Sequence, residues 1–170
     1  DYYKNFYAFL SDKTLHRKLE NSKVFLDIKL HPIIANLKNL FDIDCEYINM
    51  VSGDVDVADY KAFVTDFSSY VFDFAYLNRP IMYFVPDYPQ FKSGMNHYRD
   101  LDLPFDEAFG HMFTDAHKPA ECLCEIVDRD FVPEQIYAER MENFYFDFDG
   151  NCAENLYKFV VEQDKLFSQQ

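Results

Sequence analysis

The stretch from Tyr60 to Val85 constrains the chain more than any other. Tyr60 to Thr65 is apolar and strand-like, Asp66 to Ser69 is polar and turn-like, Tyr70 to Leu77 carries a helical pattern, and Pro80 to Val85 reads as a strand again. A strand, turn, helix and strand this close together predict a β-α-β unit, whose two strands run parallel and whose crossover is right-handed. Parallel strands need cover on both faces, so the unit predicts an α/β domain with helices on either side of the sheet.

The flanking sequence extends that pattern. Phe6, Phe9, Leu10 and Leu15 lie at roughly helical spacing between Tyr2 and Leu19, ahead of a break at Asn21-Ser22. Val24 to Leu30 reads as a strand ended by His31-Pro32, because proline cannot donate to a ladder. Ile33 to Phe41 reads as a short helix and Cys45 to Met50 as a second strand. Beyond Pro86 the sequence predicts a loop of about 22 residues, a length that is usually functional. A short strand over Phe109 to Thr114 follows, then Asp115 as a cap and helices over Lys118 to Asp130, Glu134 to Phe146 and Ala153 to Phe167. The expected architecture is a Rossmann-like parallel sheet with helices on both faces, forming one domain over residues 1–170.

Composition narrows the functions open to such a domain. The chain is 49% hydrophobic with 19 Phe and 13 Tyr, enough apolar surface to offset the entropy of ordering it. A net charge of -14 excludes nucleic acid as a partner and argues against contact with an anionic bilayer, so any phosphate site must be local. Backbone N–H groups at a helix N-terminus can build one within an acidic protein. Cys45, Cys122, Cys124 and Cys152 are too irregular for a disulfide framework and read as reduced thiols of the cytoplasm. There is no apolar run long enough to span a membrane and no signal peptide. The first residue, Asp1 rather than Met, points to a segment of a longer protein.

Two places could carry chemistry. In Phe63-Val64-Thr65-Asp66-Phe67-Ser68-Ser69-Tyr70 an apolar strand runs through a hydroxyl-bearing turn into an apolar helix, at the carboxyl edge of the sheet, where α/β domains bind diphosphates. The same residues read equally well as a plain N-cap. Lys29-Leu30-His31-Pro32 closes the preceding strand on that edge, with Lys29 and His31 two apart and so on one face. A strand-end histidine with a solvated lysine is the simpler alternative there.

Taken together, these motifs resemble the CDP-glycerol glycerophosphotransferases, the teichoic acid polymerases, whose carboxyl-terminal nucleotide-binding domain has a Lys/Arg-x-His-Pro strand end followed by an Asp-Tyr-Ser-Ser turn and a helix containing Phe-Asp. Here they stand as Lys29-Leu30-His31-Pro32, Asp66-Phe67-Ser68-Ser69 and Phe72-Asp73-Phe74. Asn78-Arg79-Pro80-Ile81, Lys92-Ser93-Gly94 and Phe148-Asp149-Gly150-Asn151 with Ala153-Glu154 resemble further family motifs, so the likeness runs from about Val24 to Val161. It implies the carboxyl-terminal half of a GT-B fold, with the donor diphosphate held by Lys29, His31, Ser68 and Ser69 and the turn shaped by Asp66. Lys92, Asn96, His97 and Arg99 form a candidate donor loop. Lys92 stands where the family tends to have Arg, replacing a bidentate clamp by a point charge, and Asn155 takes the place of an Arg in the last motif.

The reaction implied moves glycerol phosphate, or another polyol phosphate, from CDP to a hydroxyl of a lipid-linked teichoic-acid-type polymer and releases CMP. The ligand is CDP-glycerol or a related CDP-polyol; no cofactor, metal or catalytic residue is expected in this segment. The family's amino-terminal domain, with the Trp-His-Gly motif whose His resembles the general base, is expected to supply the base and the acceptor groove. The segment alone should bind donor weakly and turn over little. The parent protein would sit on the inner face of the cell membrane.

Other readings are weaker. A noncatalytic Rossmann-like module that binds a nucleotide or a partner fits the same fold. Tyr145-Phe146-Asp147-Phe148-Asp149-Gly150 resembles the opening motif of the haloacid dehalogenases, but that motif belongs at the start of its fold. Asp147, Asp149 and Glu154 lack the spacing of a calcium loop, and Cys122 and Cys124 with His111 and His117 lack that of a zinc site. The aromatic run from Phe144 to Phe148 reads as packing against the sheet.

Overall fold

A computed structural model describes residues 2–31, 34, 41, 43–93, 103–145 and 150–167. In chain order the elements are α1 (Tyr2–Leu10), α2 (Lys13–Ser22), β1 (Leu26–Lys29), β2 (Ile48–Val51), β3 (Phe63–Thr65), α3 (Tyr70–Tyr76), β4 (Ile81–Phe84), α4 (Tyr88–Lys92), β5 (Gly110–Phe113), α5 (Lys118–Asp128), α6 (Gln135–Phe144) and α7 (Cys152–Phe167).

The central strand β4 organises the domain. All four of its residues are buried, with β3 and β5 paired in parallel on either side. Alternate side chains serve opposite faces, as the two-residue period of a strand requires. Met82 and Phe84 join Phe9, Leu10, Leu15, Leu19, Leu123 and Ile126 in the core beneath α1, α2 and α5. Ile81 and Tyr83 join Val71, Phe74, Phe109 and Met141 beneath α3 and α6. The predicted parallel α/β architecture with helices on both faces is therefore what the chain adopts.

The expected single sheet appears as two ladders among the described residues, β1 paired with β2 and β3-β4-β5 separately, all parallel. Side chains join them instead of backbone. Tyr60, ahead of β3, donates its hydroxyl to Asp27 Oδ2 of β1 at 3.0 Å, and Leu26, Ile28 and Ile48 pack on the same core as Met82 and Phe84.

Local chemistry explains where boundaries move. The single helix expected over Tyr2 to Leu19 is two, because Asp12 adopts extended geometry and its side chain accepts from Thr14 N and Leu15 N, starting α2 afresh. The His16 ring Nε2–H donates to Leu10 O at 2.6 Å, covering a carbonyl that α1 leaves open. Cys45 to Tyr47 form a turn closed by Ile48 N to Cys45 O, so β2 begins later than expected. The loop predicted beyond Pro86 begins instead with α4, whose first turn contains Pro89 with its φ already set for a helix. The helix expected over Ile33 to Phe41 lies almost wholly outside the described residues.

On the α3 face, Phe144 stacks on Phe72 at 5.6 Å and Tyr145 donates its hydroxyl to Phe72 O at 2.6 Å, so this part of the aromatic run, expected against the sheet, lies on helix α3 with the Phe144 ring exposed. Phe146, Asp147, Phe148 and Asp149 lie outside the described residues. By contrast α7 buries none of its described residues, and Leu156, Tyr157, Phe159 and Phe167 on it are exposed.

Gly110 sets the spacing between β4 and β5. A Cβ there would lie 1.8 Å from Ile81 O, inside backbone that cannot move without opening the ladder. Gly110→Ala should lower unfolding stability by about 1–3 kcal/mol or more, the range for forcing atoms into filled space. Urea denaturation of the two proteins measures it, and an unchanged midpoint would contradict the close approach.

Candidate functional site

Parallel pairing sends the carboxyl ends of β3, β4 and β5 to one edge, and two contacts between the ladders orient β1 the same way. Tyr60, before β3, meets Asp27 within β1, while Lys29 at the end of β1 meets Tyr70, which opens α3 after β3. The Lys29 Nζ lies 5.3 Å from the centroid of the Tyr70 ring, within cation–π range. The end of β1 is thus within side-chain reach of the start of α3, just past the turn from Asp66 to Ser69. His31, two residues past β1, is exposed and its carbonyl accepts from Ile34 N.

Each residue of the turn has a distinct part. Asp66 accepts a hydrogen bond on Oδ2 from the Tyr2 hydroxyl at 3.0 Å. Ser68 Oγ accepts from Tyr70 N at 3.3 Å, so Ser68 does cap α3. Its hydroxyl proton remains available to a further acceptor. Ser69 holds the N-cap position with helical dihedrals, and its hydroxyl caps no N–H among the described residues. Phe67 stacks on Phe91 of α4 at 4.5 Å and leans on Phe105 at 6.0 Å. That stack fastens α4 to the turn and brings Lys92, the next residue after Phe91, to the same edge.

Sequence reasoning missed Tyr2, Tyr70, Phe91 and Asp87. Asp87, just past β4, buries Oδ1 with no hydrogen-bond partner among the described residues. Burial raises the Tyr2 hydroxyl far above its ordinary pKa, with Asp66 and then Asp87 adding to the effect, which places Tyr2 near both carboxylates. Asn96, His97 and Arg99 lie outside the described residues.

The residues weighed for zinc have other engagements. The Tyr137 hydroxyl donates to His111 Nδ1 at 3.0 Å and His111 Nε2–H donates to Glu134 at 3.1 Å, which ties α6 to β5 at the opposite edge of the sheet. Cys122 and Cys124 are both buried in α5 but in different surroundings, Cys122 near Arg129 and Glu134, Cys124 near Lys18 and Asp12. All four cysteines are free thiols. Among the described residues no helix is long and apolar enough to cross a membrane.

Comparison with known proteins gives consistent matches. The model of the family described as CDP-Glycerol:Poly(glycerophosphate) glycerophosphotransferase matches residues 2–162. The minor teichoic acid biosynthesis protein GgaB of Bacillus subtilis (strain 168) is 23% identical over 177 residues, covering 96% of this chain and 18% of its own length. A teichoic acid poly(glycerol phosphate) polymerase of Staphylococcus epidermidis is 30% identical over 141 residues, covering 77% of this chain and 18% of that protein. The teichoic acid glycerol-phosphate primase of Bacillus subtilis (strain 168) is 28% identical over 168 residues, covering 89% and 38%. The chain thus spans 18% to 38% of the length of these curated relatives. In fold it is similar to the wall teichoic acid polymerase TagF, with a TM-score of 0.61 at 21% identity over 92% of this chain and 38% of that one.

Buried protons set how this domain responds to alkali. Burial raises Tyr83 from 10.0 to about 12 and Cys122 from 9.0 to about 11, and it raises Tyr2 as well. A group whose folded pKa exceeds its unfolded value stabilises fully below the unfolded pKa and loses that contribution as pH passes the folded one. Urea midpoints should therefore fall from about pH 9 upward and steeply between 10 and 12, with Tyr2→Phe flattening the fall. At pH 8 a thiol reagent should modify exposed Cys152 at once and Cys122 only on unfolding. Equal labelling rates in the native protein would contradict the burial.

Proposed function

The chain belongs to the CDP-glycerol:poly(glycerophosphate) glycerophosphotransferase family, and from that premise we propose that it is the donor-binding part of a transferase. The donor is CDP-glycerol or a related CDP-polyol, and the acceptor is a hydroxyl of a lipid-linked teichoic-acid-type polymer, which the rest of the protein holds. The parent protein works at the inner face of the cell membrane.

In this reading the acceptor oxygen attacks the phosphorus that bears the polyol, the bond from that phosphorus to the bridging oxygen breaks, and CMP leaves with the electron pair. The acceptor proton passes to a base outside this chain. Charge grows on the bridging oxygen and on CMP, so the useful groups are donors already fixed around the diphosphate. Ser68 offers its remaining proton, Ser69 its hydroxyl, and Lys29 and His31 a cation and a ring donor.

One observation carries the reading: the 5.3 Å approach of Lys29 Nζ to Tyr70, which joins two motifs far apart in sequence at one edge of the parallel strands. The stack of Phe67 on Phe91 adds Lys92 to that edge.

Calorimetric titration with CDP-glycerol, CTP and UDP-glucose tests the proposal. CDP-glycerol should bind tightest. Lys29→Met, His31→Ala and Ser69→Ala should each weaken it about 10-fold, the order expected for one charge-assisted hydrogen bond. Ser69 is a cleaner probe than Ser68, whose removal also uncaps Tyr70 N. Equal responses to all three nucleotides, insensitive to these substitutions, would remove the donor site.

A further inference from the structure

The turn between β3 and α3 is held from outside its own strand and helix. Tyr2, in the first turn of α1, donates to Asp66 Oδ2 across 64 positions of sequence. Capping of α3 does not depend on that bond, because Ser68 already accepts from Tyr70 N. The Tyr2 ring packs on Phe6 at 4.7 Å, and Phe6 rests on Phe84 at 4.6 Å, so the hydroxyl reaches Asp66 from a ring placed by the central strand. Burial and the neighbouring carboxylates keep it protonated well past its ordinary range, and it remains a donor at any neutral pH.

We propose that Tyr2 is a positioning residue for the donor diphosphate: by binding Asp66 it turns that carboxylate toward the body of the domain and leaves Ser68 and Ser69 to face the anion. A carboxylate turned outward would repel a diphosphate at the same edge. The inference rests on the donor-site reading above.

Titration of this chain with CDP and with cytidine, which lacks the phosphates, separates the possibilities. Tyr2→Phe keeps the ring and removes only the hydroxyl. It should weaken CDP about five- to tenfold, the loss of one hydrogen bond's positioning, while cytidine binds as before. In an Asp66→Ala background the same substitution should add nothing, because the two groups act as one unit. An unchanged CDP affinity, in a protein that still prefers CDP to cytidine, overturns the inference and leaves the donor site standing. Equal weakening of CDP and cytidine overturns it too, as general loosening. A parent chain with no preference for CDP removes the donor site and the inference with it. Without ligand, the amide shifts of residues 66–69 should move in Tyr2→Phe while those of β5 stay, and unmoved shifts at the turn overturn the inference.

Discussion

The domain depends on β4 lying flat against β5 while its side chains feed two cores. Ile81 to Phe84 are buried without exception, and odd and even positions point to opposite helical layers. The arrangement requires a neighbouring strand with no side chain where the backbones meet, and Gly110 supplies it. Because both layers close on the same four residues, disturbance of either face is transmitted through the strand to the other.

The candidate site inherits its order from that strand. Phe6 and Phe9 rest on Phe84, Phe6 carries Tyr2, and Tyr2 reaches Asp66, so one chain of contacts runs from the core to the turn. A second runs through Phe67 and Phe91 to α4. Loops at such edges are usually the mobile part of an α/β domain. Here the turn is gripped from two sides by aromatic rings, which restricts it before any ligand arrives.

Much of this was legible in the sequence, for definite reasons. The β-α-β unit from Tyr60 to Val85 announces itself because its period changes from strand to helix and back within a few residues, and the Asp66 to Ser69 turn has hydroxyls where a cap must be. Lys29 ends β1 and Tyr70 opens α3 after β3, so the sequence order of strand ends already suggests their meeting, although no backbone ladder joins β1 to β3. What escaped was set by distant partners or single capping groups. No local pattern announces that Tyr2 reaches Asp66, since the hydrogen bond depends on how α1 is carried over the sheet. The division of the first helix turns on one carboxylate, Asp12, that periodicity overlooks. The missing ladder between β1 and β3 reflects a side-chain bridge, Tyr60 to Asp27, that reads in sequence as two ordinary polar positions.

The balance of charge at this edge has a consequence for how an anion would arrive. Lys29 reaches the Tyr70 ring at this edge and Asp66 lies in the turn just before it, on a chain whose net charge is -14. Seen from farther than about 8 Å, the screening distance at physiological ionic strength, the surface repels a negative ligand, and only short-range donors reverse the sign. Added electrolyte damps the far field more than the near one, so an approaching nucleotide gains from modest salt, the reverse of proteins that capture phosphates through a broad basic face.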